Sequence, residues 1–439
     1  MSDFILIKKE IKNFNKVISV SGDKSISIRW VLFSSIANGV SEAKNLLMSE
    51  DVMAAINLIR KLGIKVKIKK NLCKIYGKGL NGYKYKNNLT LDAQNSGTLG
   101  RLILGLLINS TKKIKLIGDK SLSKRDFKRI STPLSKFGVK FKHKNKFGLP
   151  LVIQGIKNPK PIFYKENRGS AQCKSSIIFA GMRTQGKTII KAKKSRNHTE
   201  LLCKYLKIPL KIENKKKFDL IEIKKVNKIK SIKYKIPSDI SSAAFFIVLV
   251  ALSKKSSIKI KDVNINPSRT GVIKILKKMG IIINFEKRKI YKGEPIADIC
   301  VKSPKIIKSI NCPSNLNSEA IDEFLIIFLV AARANGTSYF KGLSELNKKE
   351  SPRLDWAFKI LKLMGIKTFK TNNSIKIIGN PKLKIKKNII IKNFLKDHRV
   401  FMTCVIAALS FGGKWKICDK DSIKTSFPSF LKVISDLQK

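Results

Sequence analysis

The most constraining feature of this 439-residue chain is a pattern that occurs six times, in which polar or very small residues precede a long apolar run. A helix that is apolar on every side is buried, so each run predicts a core helix. The start of such a helix carries unpaired N–H groups and a partial positive charge, which favour bound anions. The pattern therefore predicts an enzyme for anionic small molecules. The six openings are Lys24-Ser25, Asn95-Ser96-Gly97-Thr98, Ser170-Ala171-Gln172, Ser238-Asp239, Asp322-Glu323 and Asp397-His398-Arg399.

The apolar runs belong to a longer repeat of roughly 70 to 80 residues, longer than the helical solenoid periods. A small turn, a short β-branched strand, a loop, an amphipathic helix and often a Gly followed by a second strand come after each run. Glycine fits the left-handed position that ends a helix. The third junction has Lys207 instead and is expected to close differently. The junctions are Leu62-Gly63-Ile64, Phe137-Gly138-Val139, Leu206-Lys207-Ile208, Met279-Gly280-Ile281 and Met364-Gly365-Ile366.

Six such repeats predict an α/β protein with two similar domains of three repeats each. The chain would cross between them near 235–238, where Pro237 interrupts the strand pattern. The N-terminal stretch 4–11 precedes the first repeat, and we expect it to return to the second domain as a strand. We therefore predict an N-terminal domain at 23–238 and a C-terminal domain formed by 1–22 and 239–439.

The formal net charge of +63 permits two interpretations. A strongly basic chain suggests nucleic acid or an anionic membrane as a partner. Lys, however, is spread along the whole chain together with Ile and Asn, all residues of A/T-rich codons, which favours a compositional bias. No basic stripe with interleaved aromatic residues is present, so nucleic acid is not expected as a partner. A basic nucleic-acid-binding repeat protein remains the alternative from another class, and it leaves the six helix openings unexplained.

The seven cysteines are scattered, without close pairs or histidines at metal-binding spacing, so we expect reduced thiols and no metal. The longest apolar runs fall short of the roughly 18 residues that span a membrane. The N-terminus lacks the character of a signal or transit segment. The sequence thus predicts a cytoplasmic protein that does not contact a membrane. We also expect a monomer, although none of these features determines the oligomeric state.

Arginine is informative in a chain so rich in Lys, because its planar fork binds carboxylates and phosphates through two hydrogen bonds. Six arginines lie at the helix openings or in the loops beside them. They are Arg29, Arg101, Arg125, Arg196, Arg353 and Arg399.

Taken together, in this order and at this spacing, these clusters resemble the 5-enolpyruvylshikimate-3-phosphate (EPSP) synthase family of enolpyruvyl transferases. The motifs are GDKSISIR, NSGTLGR, GDKSLSKRD, GSAQCKSS, SRNHTE, AIDEF, ELNKKESPRL and DHR. The resemblance implies two domains, each of three βαβαββ repeats in an inside-out α/β barrel. It also implies transfer of the enolpyruvyl group of phosphoenolpyruvate to the 5-hydroxyl of shikimate 3-phosphate, in chorismate and aromatic amino acid biosynthesis. The family needs no cofactor and is the target of glyphosate.

The resemblance also implies a role for single residues. Asp322 is the expected base, and Lys24 or Glu350 is the expected acid. The residues implied for shikimate 3-phosphate are Ser25, Arg29, Ser170, Ala171, Gln172, Arg196, Asp322 and Lys349. Those implied for phosphoenolpyruvate are Lys24, Asn95, Gly97, Arg125, Gln172, Arg353 and Arg399.

Some positions depart from the family pattern. Asp126 and Pro352 replace a Pro and an Asp, Ala171 replaces a Ser, and Thr425 replaces a Lys, with Lys424 one residue early. Glu323 is expected only to interact with the dipole of the helix that follows it.

The nearest alternative is the sister enolpyruvyl transferase that acts on UDP-N-acetylglucosamine, which shares the fold and the donor. That enzyme pairs its early Lys with Asn and has a Cys in a mobile loop. Here Ser25 follows Lys24, and the loop at 120–125 has no Cys.

Overall fold

The computed structural model describes residues 3–439, which divide into two compact units. The N-terminal unit comprises Gly22–Ile236 and the short segment Tyr291–Glu294. The C-terminal unit comprises the chain up to Ser21, Pro237–Ile290 and Pro295–Lys439. The segment Tyr291–Glu294 joins two strands of the C-terminal unit and is called the hairpin tip below; the sequence analysis did not anticipate its place in the N-terminal unit.

Strands and helices are interspersed throughout residues 3–439. The strands are β1 (Phe4–Ile7), β2 (Asn15–Ile18), β3 (Asn38–Lys44), β4 (Lys65–Lys69), β5 (Leu72–Lys78), β6 (Leu89–Asp92), β7 (Ile114–Ile117), β8 (Lys140–His143), β9 (Leu151–Gln154), β10 (Phe163–Glu166), β11 (Lys187–Lys193), β12 (Leu210–Asn214), β13 (Phe218–Lys224), β14 (Lys233–Lys235), β15 (Ser257–Asn264), β16 (Ile282–Tyr291), β17 (Glu294–Lys302), β18 (Thr337–Lys341), β19 (Thr368–Lys370), β20 (Ser374–Ile378), β21 (Asn388–Ile391) and β22 (Lys414–Cys418).

The helices are of two kinds, apolar ones and amphipathic ones. They are α1 (Lys24–Ser35), α2 (Glu50–Lys61), α3 (Gly97–Leu106), α4 (Lys120–Ser123), α5 (Lys128–Ser135), α6 (Ala171–Gly181), α7 (His198–Tyr205), α8 (Ile240–Leu252), α9 (Gly271–Lys278), α10 (Asn317–Ala320), α11 (Phe324–Arg333), α12 (Arg353–Leu363), α13 (His398–Phe411) and α14 (Phe430–Gln438). Short 3-10 helices lie at Ser314–Leu316, Ser344–Lys348 and Lys420–Thr425.

The three sheets of the N-terminal unit share one strand arrangement. In the order β6-β7-β9-β8 the first pair is parallel and the next two pairs are antiparallel. The sheets β10-β11-β13-β12 and β14-β3-β5-β4 follow the same rule. A parallel pair needs a crossover connection, and α3 and α6 provide it for β6 to β7 and β10 to β11.

The C-terminal unit repeats this arrangement with two variations. The sheet β16-β17-β15-β2 has the full form, with β2 parallel to β15. In the sheet β18-β20-β19, isolated parallel bridges pair Lys308 with Asn335 and Asn311 with Tyr339 in place of a first strand. In the sheet β1-β22-β21, β1 pairs antiparallel with β22, so the first strand of the chain belongs to the C-terminal unit.

The six predicted apolar helices form the centres of the two hydrophobic cores. α1, α3 and α6 are buried in the N-terminal unit, and α8, α11 and α13 in the C-terminal unit. α3 and α6 pack closely because Gly105 has no side chain: a Cβ there would lie 2.1 Å from the carbonyl oxygen of Ser176. The positions of the six helix starts confirm the predicted openings.

The junctions that end the amphipathic helices all use the left-handed backbone conformation. Gly63 has a φ of 85° and Gly365 a φ of 83°. The expectation that Lys207 closes its junction differently is wrong, because Lys207 adopts a φ of 54°. The N–H of Ile208 donates to the carbonyl of Cys203 at 2.9 Å, and the N–H of Ile64 makes the equivalent bond at 3.1 Å. The turn geometry is therefore retained, at the steric cost of a Cβ in this conformation.

Two further features concern the chain as a whole. All seven cysteines are free thiols, as predicted. Within residues 3–439, no helix has both the length and the apolar character needed to cross a lipid bilayer.

Candidate active site

Lys24 is the first residue of α1, and its ammonium group remains partly exposed there. The carboxylate of Asp23 caps the helix by accepting from the N–H of Ile26 at 2.9 Å. Nζ of Lys24 lies 2.9 Å from Oδ2 of Asp51 on α2. The side chain of Lys24 is 23% exposed, so the cation is held by an acid and still reachable by a ligand.

Arg29, one turn further along α1, is buried and bonded to protein groups. Its Nε donates to Oγ1 of Thr199 at 2.8 Å, and its two terminal nitrogens donate to the carbonyl of Ser25 and to Oγ of Ser175. Burial lowers the pKa of Arg29 to about 10, against the raising effect of Glu200 and other acids. The guanidinium is still charged at neutral pH. The geometry shows Arg29 fixing the backbone of Ser25, and direct contact with a substrate stays a prediction.

Gly97, Asn95 and Arg125 meet at the start of α3. A Cβ at Gly97 would lie 3.1 Å from one terminal nitrogen of Arg125 and 3.4 Å from one of Arg101. Nη2 of Arg125 lies 3.4 Å from Oδ1 of Asn95 and 3.4 Å from Oγ of Ser121. The absence of a side chain at Gly97 therefore makes room for the guanidinium beside the first N–H groups of α3.

Arg101 was not among the predicted ligands, yet it joins two of the predicted motifs. Its Nη1 donates to Oε1 of Gln172 at 2.5 Å, and Nε2 of Gln172 donates to Oγ1 of Thr98 at 3.0 Å. The guanidinium also lies over the ring of Phe127, 5.4 Å from its centre. The sequence signal was available, since Arg101 is one of the few arginines at a helix start.

Asp126, which stands where the family usually has Pro, has partners of its own. Its Oδ2 lies 3.2 Å from Nη1 of Arg168 and 3.5 Å from Nε of Arg129. Burial would raise the pKa of Asp126, but Arg129 and the hydrogen bonds around it hold the pKa below its usual range. The substitution thus links the loop carrying Arg125 to the loop that precedes α6.

The start of α6 is shaped by a helix cap and by a hydrogen-bonded turn just before it. Oγ of Ser170 accepts from the N–H of Cys173 at 3.2 Å. The buried carboxylate of Glu166 accepts from the N–H groups of Arg168 and Gly169, at 3.1 and 2.8 Å. Ser170 therefore uses its oxygen as a helix cap, and its hydroxyl hydrogen can still be donated to an anion.

Asp322 is held between two cations in the C-terminal unit. Its Oδ1 lies 3.1 Å from Nζ of Lys349 and 3.6 Å from Nη1 of Arg353. The side chain of Asp322 is 16% exposed. The structure thus brings together three of the predicted site residues, in a place that solvent can still reach.

Arg353 is buried at the centre of this cluster. It contacts Asp397 through two nitrogens and Glu350 through one, with Nη2 of Arg353 lying 2.6 Å from Oε2 of Glu350. Burial opposes the charge, but Asp397, Glu350 and Asp322 outweigh burial and raise the pKa of Arg353 above its ordinary value. Burial alone would raise the pKa of Asp397, and Arg353 beside it holds that pKa below its usual range.

Arg399, at the start of α13, reaches back to the residues before α11. Its Nη1 donates to the carbonyl of Asp322 at 2.7 Å and lies 3.5 Å from Oε1 of Glu323. Glu323 makes no side-chain cap, and its Oε1 accepts from Oγ of Ser241 at 2.5 Å. The expectation that Glu323 serves only the helix dipole is therefore wrong, because its buried carboxylate connects α8 to Arg399.

His398 and Lys424 lie beside this cluster. Nδ1 of His398 is 3.1 Å from Oγ1 of Thr425. Lys424 is more than half exposed, and its Nζ lies 2.8 Å from Oδ2 of Asp421 on the surface. No group of three or more His, Cys, Asp or Glu side chains in residues 3–439 is arranged to hold a metal ion.

Comparison with known proteins decides between the two enolpyruvyl transferase alternatives. Residues 8–434 match the family described as EPSP synthase (3-phosphoshikimate 1-carboxyvinyltransferase). The chain belongs to the EPSP synthase family. A 3-phosphoshikimate 1-carboxyvinyltransferase from Caldicellulosiruptor bescii is 39% identical over 426 residues, which cover 96% of each chain.

Solved structures agree with this membership. An EPSP synthase from Acinetobacter baumannii superposes with a TM-score of 0.87 at 34% identity, over 98% of this chain and 97% of that one. The enolpyruvyl transferase NikO from Streptomyces tendae shares the fold, with a TM-score of 0.77 at 12% identity, over 100% of this chain and 98% of that one. The predicted fold class is confirmed, and the alternative of a nucleotide-sugar enzyme is not favoured.

Proposed function

We propose that this chain transfers the enolpyruvyl group of phosphoenolpyruvate to the 5-hydroxyl of shikimate 3-phosphate and releases phosphate. The observation that carries the proposal is the cluster of Asp322, Lys349, Arg353 and Glu350, in which acids and cations alternate at the starts of α11 and α12. Such a cluster can bind an anion and move a proton, and the reaction requires both.

The first requirement is to bring two anions together. Buried or half-buried Arg forks and open helix starts offset the repulsion between them. In this proposal shikimate 3-phosphate is bound by Ser25, Arg29, Ser170, Ala171, Gln172, Arg196, Asp322 and Lys349. Phosphoenolpyruvate is bound by Lys24, Asn95, Gly97, Arg125, Gln172, Arg353 and Arg399.

The second requirement is a pair of proton transfers. Asp322 accepts the proton of the 5-hydroxyl as that oxygen attacks C2 of phosphoenolpyruvate, and C3 gains a proton from Lys24 or Glu350. The tetrahedral intermediate then loses the C3 proton and the phosphate from C2, which leaves the enol ether. Acid–base catalysis supplies roughly two to four powers of ten, so positioning and charge stabilisation supply much of the rest.

The localisation, the oligomeric state, the domain bounds and the binding of nucleic acid go beyond membership of the family. We propose that the protein is a cytoplasmic monomer, that its domains are 23–238 and 1–22 with 239–439, and that it does not bind nucleic acid. Glyphosate is expected to bind beside shikimate 3-phosphate, next to Gly97.

The test is the identity of the product. Phosphoenolpyruvate labelled with ¹³C at C2 is mixed with shikimate 3-phosphate and enzyme, and the carbon signal is followed by NMR. The proposal predicts an enol-ether carbon coupled through oxygen to position 5 of the ring. An enol ether at position 4, or labelled pyruvate as the sole product, would contradict it.

A further inference from the structure

Three consecutive residues at the start of α7 are polar and buried, and each contacts a different part of the N-terminal unit. They are His198, Thr199 and Glu200, each with 2% of its surface exposed or less. Nδ1 of His198 lies 2.7 Å from Oε1 of Glu294 in the hairpin tip. The first turn of α7 is therefore fixed by side chains rather than by solvent-exposed caps.

The other two residues connect α7 to α1 and α6. Oγ1 of Thr199 accepts from Nε of Arg29 at 2.8 Å and lies 2.7 Å from Oγ of Ser175. Oε1 of Glu200 lies 2.5 Å from Nζ of Lys174, and both side chains are almost completely shielded from solvent. An ion pair so deeply buried joins α6 to α7 directly.

These contacts involve the three segments of the N-terminal unit that carry proposed ligands of shikimate 3-phosphate. Ser25 lies on α1, where Arg29 holds its carbonyl at 3.0 Å. Gln172 precedes Lys174 by two residues on α6, and Arg196 lies just before α7. A shift of α7 against α6 would therefore move Arg196 relative to Gln172.

Stability alone does not account for the pair of Lys174 and Glu200. Removing an ion from water costs several kcal/mol, and a buried pair is often no more stabilising than apolar side chains of the same volume. We infer that this pair is a positioning device, which sets the distance between Arg196 and the start of α6 at which both bind shikimate 3-phosphate. The inference rests on the proposed function, and neither residue of the pair needs to touch the substrate.

The test separates an effect on the geometry of the binding site from an effect on the stability of the protein. In the variant Lys174→Met/Glu200→Leu both charges of the pair are removed together, so neither is left buried without the other and the melting temperature should stay near that of the wild type. The KM for shikimate 3-phosphate should rise about tenfold, because ligand groups displaced by a fraction of an ångström bind less well. The kcat at saturating substrate and the KM for phosphoenolpyruvate should change less than about twofold.

The matched control is a partly exposed pair of the same unit, Lys74 and Glu42, whose charged atoms are 2.6 Å apart. Lys74→Met/Glu42→Gln should leave all kinetic constants unchanged. If the buried double variant does not fold, Glu200→Asp is used, since it keeps both charges and withdraws the carboxylate by one methylene. Either folded variant with a wild-type KM for shikimate 3-phosphate would overturn the inference.

Calorimetric titration of the wild type with shikimate 3-phosphate distinguishes a failure of the proposed function from a failure of the inference about Lys174 and Glu200. A wild type that does not bind shikimate 3-phosphate would overturn the proposed function and the inference together. A wild type that binds it, with a double variant that binds it equally well, would overturn the inference alone.

Discussion

Arg353 contacts Asp397 through two nitrogens, with 2.8 Å from Nε to Oδ2 and 3.2 Å from Nη2 to Oδ1. Both residues are buried, and Asp397 also caps α13 by accepting from the N–H of Arg399 at 2.9 Å. The proposed phosphoenolpyruvate ligands Arg353 and Arg399 are thus held by one carboxylate. Any change in the charge of Asp397 should affect both.

The stability of the protein should depend on the ionisation of Asp397. Its pKa is lower in the folded protein than in the unfolded chain, where it is about 3.9. The stabilising contribution is therefore complete above the unfolded value and is lost as the pH falls through the lower folded value. Urea unfolding at pH 5, 4 and 3 should show a steeper loss of unfolding free energy for the wild type than for Asp397→Asn. Equal slopes would contradict this prediction.

Asp322→Asn should separate binding from turnover. The amide keeps the shape of the side chain and removes the proposed base, so turnover should fall by about 100-fold or more. The affinity for shikimate 3-phosphate, measured by calorimetry, should remain within a few-fold of the wild type. Retention of wild-type turnover would show that the base is another residue.

Gly97→Ala should weaken the binding of phosphoenolpyruvate more than the binding of shikimate 3-phosphate. The new Cβ would lie 3.1 Å from a terminal nitrogen of Arg125, so the guanidinium must move away from the start of α3. We expect a rise of several-fold in the KM for phosphoenolpyruvate, equivalent to about 1 kcal/mol. An unchanged KM for phosphoenolpyruvate would mean that Arg125 does not bind it in this position.

Arg125→Lys should also weaken the binding of phosphoenolpyruvate, because the single ammonium charge of Lys does not reproduce the planar, bidentate guanidinium of Arg. The loss should be about tenfold or more in kcat/KM for phosphoenolpyruvate. The control is Arg129→Lys on α5, which alters a contact of 3.5 Å with Asp126 and should have little effect. Equal effects of the two substitutions would exclude a specific role for Arg125.

The sequence was sufficient for the features that depend on local patterns. Six polar openings before apolar runs predicted six buried helices, because the burial of an apolar cylinder requires no knowledge of its neighbours. The prediction from residue type failed at Lys207. This residue adopts the left-handed backbone conformation that glycine usually occupies at such a junction. The hairpin tip was not predicted, since its position depends on tertiary contacts such as that between Glu294 and His198.

The candidate site could be predicted residue by residue only in part. Resemblance gave the identities of Asp322, Glu350 and Arg353, which the structure brings into one cluster. The partners that hold these ligands were missed, because Asp397 looks in sequence like an ordinary helix cap. The contact of Arg101 with Gln172 was also missed, because the two residues are 71 positions apart in the chain.

Shikimate 3-phosphate is the proposed acceptor of the enolpyruvyl group. The most direct measurement is phosphate release by the purified protein from phosphoenolpyruvate, with shikimate 3-phosphate or UDP-N-acetylglucosamine as the second substrate. We predict rapid release with shikimate 3-phosphate, none above background with the nucleotide sugar, and loss of release in Asp322→Asn. Release with UDP-N-acetylglucosamine and none with shikimate 3-phosphate would contradict it.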